Sequence, residues 1–237
     1  MKKKIKLFCL PYAGASAFIY NKWVNKLNDE IQLVPYELSG HGLRYHEPHY
    51  TSFSEIITEL ESYIKQNVHY GDYYALFGHS MGGTIVYELT HHLLSQGFYK
   101  PEIVYISGKG PPGKKRRERL LHLLPDEEFK EEIFKLGNTP REILDDNVFE
   151  KYYLPTLRND FRLLETYLFE KKKDILDCPI AILYGNTDER TADNILDWSK
   201  YTKQECYFFE FDGGHFFIHE HFESIIKILN RSLYRGG

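Results

Sequence analysis

An open α/β sheet, mostly parallel and covered by helices on both faces, is the fold predicted by this sequence of 237 residues. Three observations predict it. Short runs rich in β-branched and aromatic residues alternate with segments of helical periodicity, the pattern produced by βαβ crossovers. The alternation fails once, between Gly108 and about Lys173, where a strand-free stretch reads as several helices set between two sheet strands. Hydrophobic residues at 42% and charged residues at 27% are ordinary globular values, so disorder, a collagen-like repeat and a coiled-coil rod are poor readings.

The first strand is expected over residues 4–10. Its leading Met1-Lys2-Lys3-Lys4 looks like the start of a signal peptide, but Lys6 interrupts the apolar run and Pro11 ends it early. Ile19, Trp23, Val24 and Leu27 then share a helical face, and a second strand follows over 32–38. Ser52-Phe53-Ser54-Glu55 forms a capping box before the stripe Ile56, Ile57, Leu60 and Ile64. A third strand, 73–77, leads into the stripe Ile85, Leu89 and Leu93, which Gly97 should close as a C-terminal cap. The fourth strand is 102–107. In the insertion, 125–136 carries Phe129, Ile133 and Leu136 on one face before Gly137, and Thr139-Pro140-Arg141-Glu142 combines a capping box with proline at the first helical position. Residues 147–168 are amphipathic around Pro155, which should kink or restart the helix. Strands 180–184 and 206–211 complete the sheet, and Phe222, Ile225, Ile226, Leu229 and Leu233 mark a final helix. The chain is expected as a single domain, 1–237, with 110–170 as a helical lid over the strand C-termini, where such sheets bind ligands.

Thirty Lys and Arg against 34 Asp and Glu give a net charge of −4, too little positive charge to hold nucleic acid by phosphate neutralisation. No stretch approaches the roughly 18 apolar residues of a membrane span. Cys9, Cys178 and Cys206 are scattered and odd in number, which argues for free thiols in a reducing compartment and for a cytoplasmic protein. Aromatic residues at 16% exceed what packing needs and point to an apolar surface that meets a ligand or partner.

Gly78-His79-Ser80-Met81-Gly82 follows the third strand and opens a helix. This G-x-S-x-G pattern, in that context, is a nucleophile elbow: a tight turn pushes Ser80 Oγ out over the sheet, as in the α/β-hydrolase fold. The glycines leave room for neighbouring backbone, and the helix N-terminus brings unpaired N–H groups beneath the reacting centre. The competing reading is a glycine-rich turn with an incidental serine. Serine needs a base, and the chain order in such hydrolases is Ser, then Asp or Glu, then His. His215, in the loop directly after the sixth strand, is the candidate base. His219 and His221 read as cap or surface residues, His91 and His92 as ordinary helix residues, and His79 as shaping the elbow. A metal cluster of His215, His219 and His221 lacks further ligands at metal-site spacing. After the fifth strand, residues 185–189 offer two acids, Asp188 and Glu189, whereas Asp177 precedes that strand at the wrong end of the sheet. An oxyanion hole would combine the N–H of Met81 with one from the loop after the first strand, for which Ala13 is the choice.

With these residues the chain resembles the type II thioesterases that accompany nonribosomal peptide synthetases and polyketide synthases. Leu10-Pro11-Tyr12-Ala13-Gly14 looks like the family's oxyanion loop and residues 78–82 like its nucleophile motif. Residues 124–129, 136–140 and 154–161 resemble its lid signatures, and these are the specific part. Asp188 and Gly213-Gly214-His215-Phe216 complete the triad pattern, so the resemblance selects Asp188 over Glu189. Two departures stand out. Gly14-Ala15 replaces two glycines, which narrows backbone freedom near the oxyanion. His41 replaces the first arginine of the family's G-R-G-x-R stretch and is expected to weaken whatever polar contact that arginine makes.

The resemblance implies a serine thioesterase acting on acyl or aminoacyl groups held on the phosphopantetheine arm of acyl- or peptidyl-carrier proteins, met transiently by a monomer. No cofactor or metal is expected, and no nucleic-acid or membrane partner. Lys114, Lys115, Arg116 and Arg117 with Arg119 are candidates to meet the arm's phosphate or an acidic carrier surface, although a charge run is more often simply solvated and Glu118 lies within this one. The alternatives are a small-molecule carboxylesterase or fatty acyl thioesterase, and, against the intact triad, a noncatalytic ligand receptor on the same fold.

Overall fold

The computed structural model of the chain describes residues 4–113, 119–137, 141–144, 146–172, 174–191 and 194–234. Strands β1 (Ile5–Leu10), β2 (Ile31–Pro35), β3 (Tyr73–His79), β4 (Val104–Ser107), β5 (Ile180–Gly185) and β6 (Cys206–Phe211) form one sheet in the order β2-β1-β3-β4-β5-β6, with every neighbouring pair parallel. All six lie where the sequence places them, the sixth with the same bounds and the others with one or both ends shifted by at most three residues. The second strand ends at Pro35, whose missing N–H faces the open side of an edge strand, and the Tyr36 N–H beyond it still donates to the Cys9 carbonyl at 2.9 Å.

Because side chains alternate across a strand, each strand supplies two cores. Tyr74 and Leu76 of β3 pack with helices α1 (Phe53–Asn67) and α2 (Met81–Ser95), whereas Ala75 and Phe77 pack on the opposite face with Tyr20, Trp23 and the C-terminal helix. Local signals hold these helices in place. Ser52 Oγ accepts from the Glu55 N–H at 3.3 Å, while the Glu55 carboxylate accepts from the Thr51 N–H at 2.7 Å. Gly97, at φ +70°, ends α2: its N–H donates to the Leu94 carbonyl and that of Phe98 to the Leu93 carbonyl, each at 3.0 Å.

Ala17–Trp23 is a 3₁₀ helix rather than an α-helix. Tighter winding eclipses residues three apart, which brings Tyr20 and Trp23 together, rings 4.9 Å apart, so that both meet Phe77.

Between β4 and β5 lies the helical insertion: a 3₁₀ turn at Leu121–Leu123, then α3 (Asp126–Lys135), α4 (Arg141–Leu144), a π-helical turn at Phe149–Tyr153 and α5 (Leu154–Thr166). It has its own core, in which Phe129 meets Phe161 edge-on at 5.4 Å. Gly137, at φ +79°, follows the last turn of α3. The segment 147–168 does not kink at Pro155. The wide turn precedes it and α5 starts afresh with proline in its first turn, where the missing N–H has no helical partner to lose. Thr139 and Pro140 of the expected capping box lie outside the described residues. The short α6 (Phe217–Glu220) and α7 (Phe222–Ser232) close the chain.

The sheet order changes direction between β1 and β3, so the loops after these strands open at a topological switch point, the place where such sheets bind ligands.

Candidate active site

Ser80 sits at φ 55°, a left-handed value unusual for a residue with a side chain, and α2 begins immediately after it. This is the strained elbow that the G-x-S-x-G pattern requires. A Cβ on Gly78 would lie 2.0 Å from the Gly82 carbonyl oxygen, and one on Gly82 would lie 2.2 Å from that of Leu10, so neither position admits a side chain. His79, fully buried, meets Ser107 Oγ through Nδ1 at 2.8 Å and ties the elbow to β4. Burial, and then the neighbouring His215 and His219, push its pKa well below the ordinary imidazole value, so it stays neutral.

His215 enters from the loop after β6. Its Nε2 lies 2.9 Å from Ser80 Oγ and its Nδ1 lies 2.6 Å from Asp188 Oδ2. A carboxylate only accepts, so Nδ1–H donates to Asp188 and leaves Nε2 to accept from the Ser80 hydroxyl. Asp188 and His215 are both buried. Burial raises the Asp188 pKa, but the His215 hydrogen bond and the charges of His215 and Arg190 outweigh it and hold the group below the ordinary aspartate value. Burial lowers the His215 pKa, Arg190 and Lys109 lower it further, and Asp188 opposes them without prevailing. The result is a carboxylate, a neutral imidazole and a serine hydroxyl in hydrogen-bonded series, which is the arrangement of an activated nucleophile. Glu189, the other acid in this turn, is exposed, and Asp177 is held at the surface by Lys100 and Gln204.

Met81 is the first residue of α2, so its N–H has no partner within the helix. Ala13 lies in the loop after β1 and lines, together with Ser80 and His215, a cavity of about 780 Å³. The walls are mainly apolar and rich in aromatic groups, among them Tyr87, Phe149, Phe161, Phe169 and Trp198. The insertion contributes a large share of these walls, through Ile133, Leu136, Leu157 and Leu164 among others. Glu165 is the acidic side chain in the lining, and its carboxylate is taken by the N–H groups of Leu121 and His122 and by the His122 ring.

His219 is not the surface residue expected. It is half-buried, with Nε2 3.0 Å from the Tyr12 hydroxyl, while His221 turns its Nε2 to the Asp212 carbonyl. The three histidines 215, 219 and 221 therefore face separate partners, and among the described residues no group of three His, Cys, Asp or Glu is placed to hold a metal. Lys114, Lys115, Arg116 and Arg117 lie outside the described residues. Arg119 pairs with Glu128 and Glu132 of α3 at 2.5 and 3.7 Å. His41, expected to weaken a polar contact, instead makes two: it meets the Ser39 carbonyl and the Asp160 carboxylate. Sequence spacing gave no sign of Asp160 at the site, because the loop it contacts lies more than a hundred residues upstream.

The family model of the thioesterase domain matches residues 5–233. The chain belongs to the thioesterase family. This thioesterase is 32% identical to linear gramicidin dehydrogenase LgrE of Brevibacillus parabrevis, over 98% of its own length and 91% of that protein's. It is 37% identical to ClbQ from the colibactin NRPS/PKS pathway, with a TM-score of 0.91 over 97% of each chain. To the type II thioesterase BorB from the borrelidin biosynthetic cluster it is 31% identical, with a TM-score of 0.88 over 99% of this chain and 94% of that one. A dehydrogenase would need a glycine-rich turn that opens a helix under a dinucleotide. Here Gly108-Lys109-Gly110-Pro111-Pro112-Gly113 has the spacing. Two of its positions are prolines without N–H donors, and it lines the same cavity as Ser80.

Proposed function

We propose that this thioesterase hydrolyses acyl and aminoacyl thioesters on the phosphopantetheine arm of carrier proteins, freeing carriers blocked by unproductive groups. The observation that carries the reading is the hydrogen-bonded series from Ser80 through His215 to Asp188, opening into an apolar cavity walled by the insertion. The family and the likeness to ClbQ and BorB support the carrier-bound substrate.

Ser80 Oγ attacks the thioester carbonyl carbon while His215 Nε2 takes the hydroxyl proton. Asp188 fixes the tautomer and stabilises the imidazolium without itself taking a proton. The N–H groups of Met81 and Ala13 receive the negative oxygen of the tetrahedral intermediate. The C–S bond then breaks. A thiol with a pKa of about 8.5 departs far more readily than an amine, so the proton returned by His215 matters less at this step. Water, deprotonated by His215, attacks the acyl-serine, and the carboxylic acid leaves with Ser80 restored. Each step is completed by side chains and amides of this chain, so the reading requires no cofactor beyond the arm that the substrate carries.

In this reading the insertion is a lid that selects the acyl group, and the basic run from Lys114 to Arg117 with Arg119 contributes to a brief encounter with the carrier. The protein works as a monomer. Buried thiols at Cys9 and Cys178 suit a reducing, cytoplasmic setting, and among the described residues no helix is long and apolar enough to cross a membrane.

The test is the intact mass of an acylated holo-carrier incubated with wild-type protein and with Ser80→Ala. Loss of the acyl mass with the wild type alone, together with preference for the carrier over a p-nitrophenyl ester, supports the reading. Equal turnover by the folded Ser80→Ala variant would sink it, and indifference to the carrier would favour the carboxylesterase alternative.

A further inference from the structure

Behind the cavity, α5 meets the loop after β1 at a buried carboxylate. Asp160 Oδ2 accepts from the Gly14 N–H at 2.7 Å and faces His41 Nε2 at 2.8 Å. Both side chains are almost completely buried, Asp160 at 1% exposure and His41 at 3%. One turn earlier on the same helix, Leu157 packs beneath Gly14, whose φ is +75°; a Cβ there would lie 2.6 Å from Leu157 Cδ1. The loop is therefore wedged onto α5 by one apolar and one charged contact.

The other edge of the His41 ring settles its protonation. Nδ1 lies 3.0 Å from the Ser39 carbonyl oxygen, which only accepts, so Nδ1 carries a proton. Nε2 faces a carboxylate oxygen, so that contact needs a second proton between the two groups, and imidazole is the stronger base. We propose that His41 is a positioning residue: as a buried imidazolium it clamps Asp160, and through Asp160 it fixes the loop carrying Ala13 at the oxyanion. The proposal rests on the oxyanion role given above to that loop.

The surroundings agree in sign. Glu37, from the loop after β2, adds a negative charge near the ring while accepting from Ser16 Oγ at 2.7 Å and from the Ala17 N–H at 2.9 Å. His49 Nε2 lies 2.9 Å from Thr156 Oγ1 of α5. Burial, then the positive charges of His41 and Arg162, depress the His49 pKa, against an opposing pull from Asp160. For His41 itself burial works against the charge, but Asp160, Ser39 and Glu37 together hold its pKa above the ordinary imidazole value. The folded value is the raised one, so the stabilisation is complete below about pH 6.5 and is lost as pH climbs through that folded value. Loss of the proton turns a lone pair toward a carboxylate and loosens the hold on Gly14. An arginine at this place would keep its charge throughout, so the histidine makes the clamp dependent on pH.

The test uses the full chain. Imidazole ¹⁵N spectra at pH 7 should show both His41 nitrogens protonated. With an acetyl thioester of N-acetylcysteamine, kcat should fall at alkaline pH while KM holds. His41→Gln, uncharged throughout, should have kcat lowered about tenfold at pH 6 and no such limb, less than the loss on deleting an oxyanion donor. The melting temperature, which does not depend on the reaction, should fall more steeply as pH rises from 6 in the wild type than in His41→Gln, the buried thiols being common to both. A singly protonated His41 at pH 7, or a His41→Gln variant with wild-type kcat, alkaline limb and melting profile, would overturn the proposal. Absent turnover by the wild type with the expected spectra and melting profile would instead count against the thioesterase mechanism and leave the protonated clamp standing.

Discussion

Replacing Asp188 by asparagine probes the triad through a conflict built into its hydrogen bonds. Asp188 uses both oxygens: Oδ2 accepts from His215 Nδ1 at 2.6 Å and Oδ1 from the Arg190 N–H at 3.1 Å. Asparagine has one acceptor and one donor. With its oxygen toward Arg190, its NH₂ faces Nδ1, which must then be unprotonated. Nε2 carries the proton instead and cannot take the one on Ser80. With its oxygen toward His215, the NH₂ is driven against the Arg190 N–H in a buried site, an unpaired donor worth roughly 1–3 kcal/mol. Either arrangement also removes the negative charge that stabilises the imidazolium. The expected loss is about 10⁴ in kcat, or about 5.4 kcal/mol of barrier, with KM little changed. Thiol release from an acyl-pantetheine, followed colorimetrically, measures it. A folded Asp188→Asn protein within tenfold of the wild type, or a larger loss from Glu189→Gln, would refute the reasoning.

Three further outcomes are expected. The acid limb of kcat/KM should lie below pH 6.5, because burial depresses the His215 pKa and the base works only when neutral; a limb above pH 7 would mean that the imidazolium is favoured in the site. Gly78→Ala should cost more than about 4 kcal/mol by denaturant melting, since its Cβ would lie 2.0 Å from backbone that cannot retreat; a loss below 1 kcal/mol would show that the elbow can relax. Replacing Lys115, Arg116 and Arg117 together by glutamate should lower kcat/KM for carrier thioesters and flatten its salt dependence, while a small free thioester is turned over as before; equal losses on both substrates would make the run part of the site rather than of the encounter.

The inner strands β1, β3, β4 and β5 were legible because burial on both faces leaves them as compact apolar runs between turn residues. Ser80, Asp188 and His215 were legible for a related reason: each occupies a loop directly after a strand, at positions 80, 188 and 215, so chain order and strand ends together restrict the candidates. Where winding depended on tertiary contacts, the sequence was less informative. The periodicity of Ile19, Trp23 and Val24 does not distinguish an α-helix from the 3₁₀ helix that sets Tyr20 edge-on against Trp23, and Pro155 does not announce the wide turn before it. Least legible was the contact of His41 with Asp160, which lie 119 residues apart. No local pattern marks such a pair. The departure at His41 drew attention to the position, but only the fold reveals that a carboxylate and a carbonyl face its two nitrogens.

The most direct measurement is trapping the acyl-enzyme. An acylated holo-carrier mixed with the thioesterase, quenched in acid within milliseconds and digested, should leave the acyl mass on the peptide that contains Ser80, accumulate further in His215→Ala if any acylation persists, and be absent from Ser80→Ala. Acyl mass on another residue, or turnover with no acylated Ser80 at any quench time and no labelling of Ser80 by a fluorophosphonate, would contradict the account.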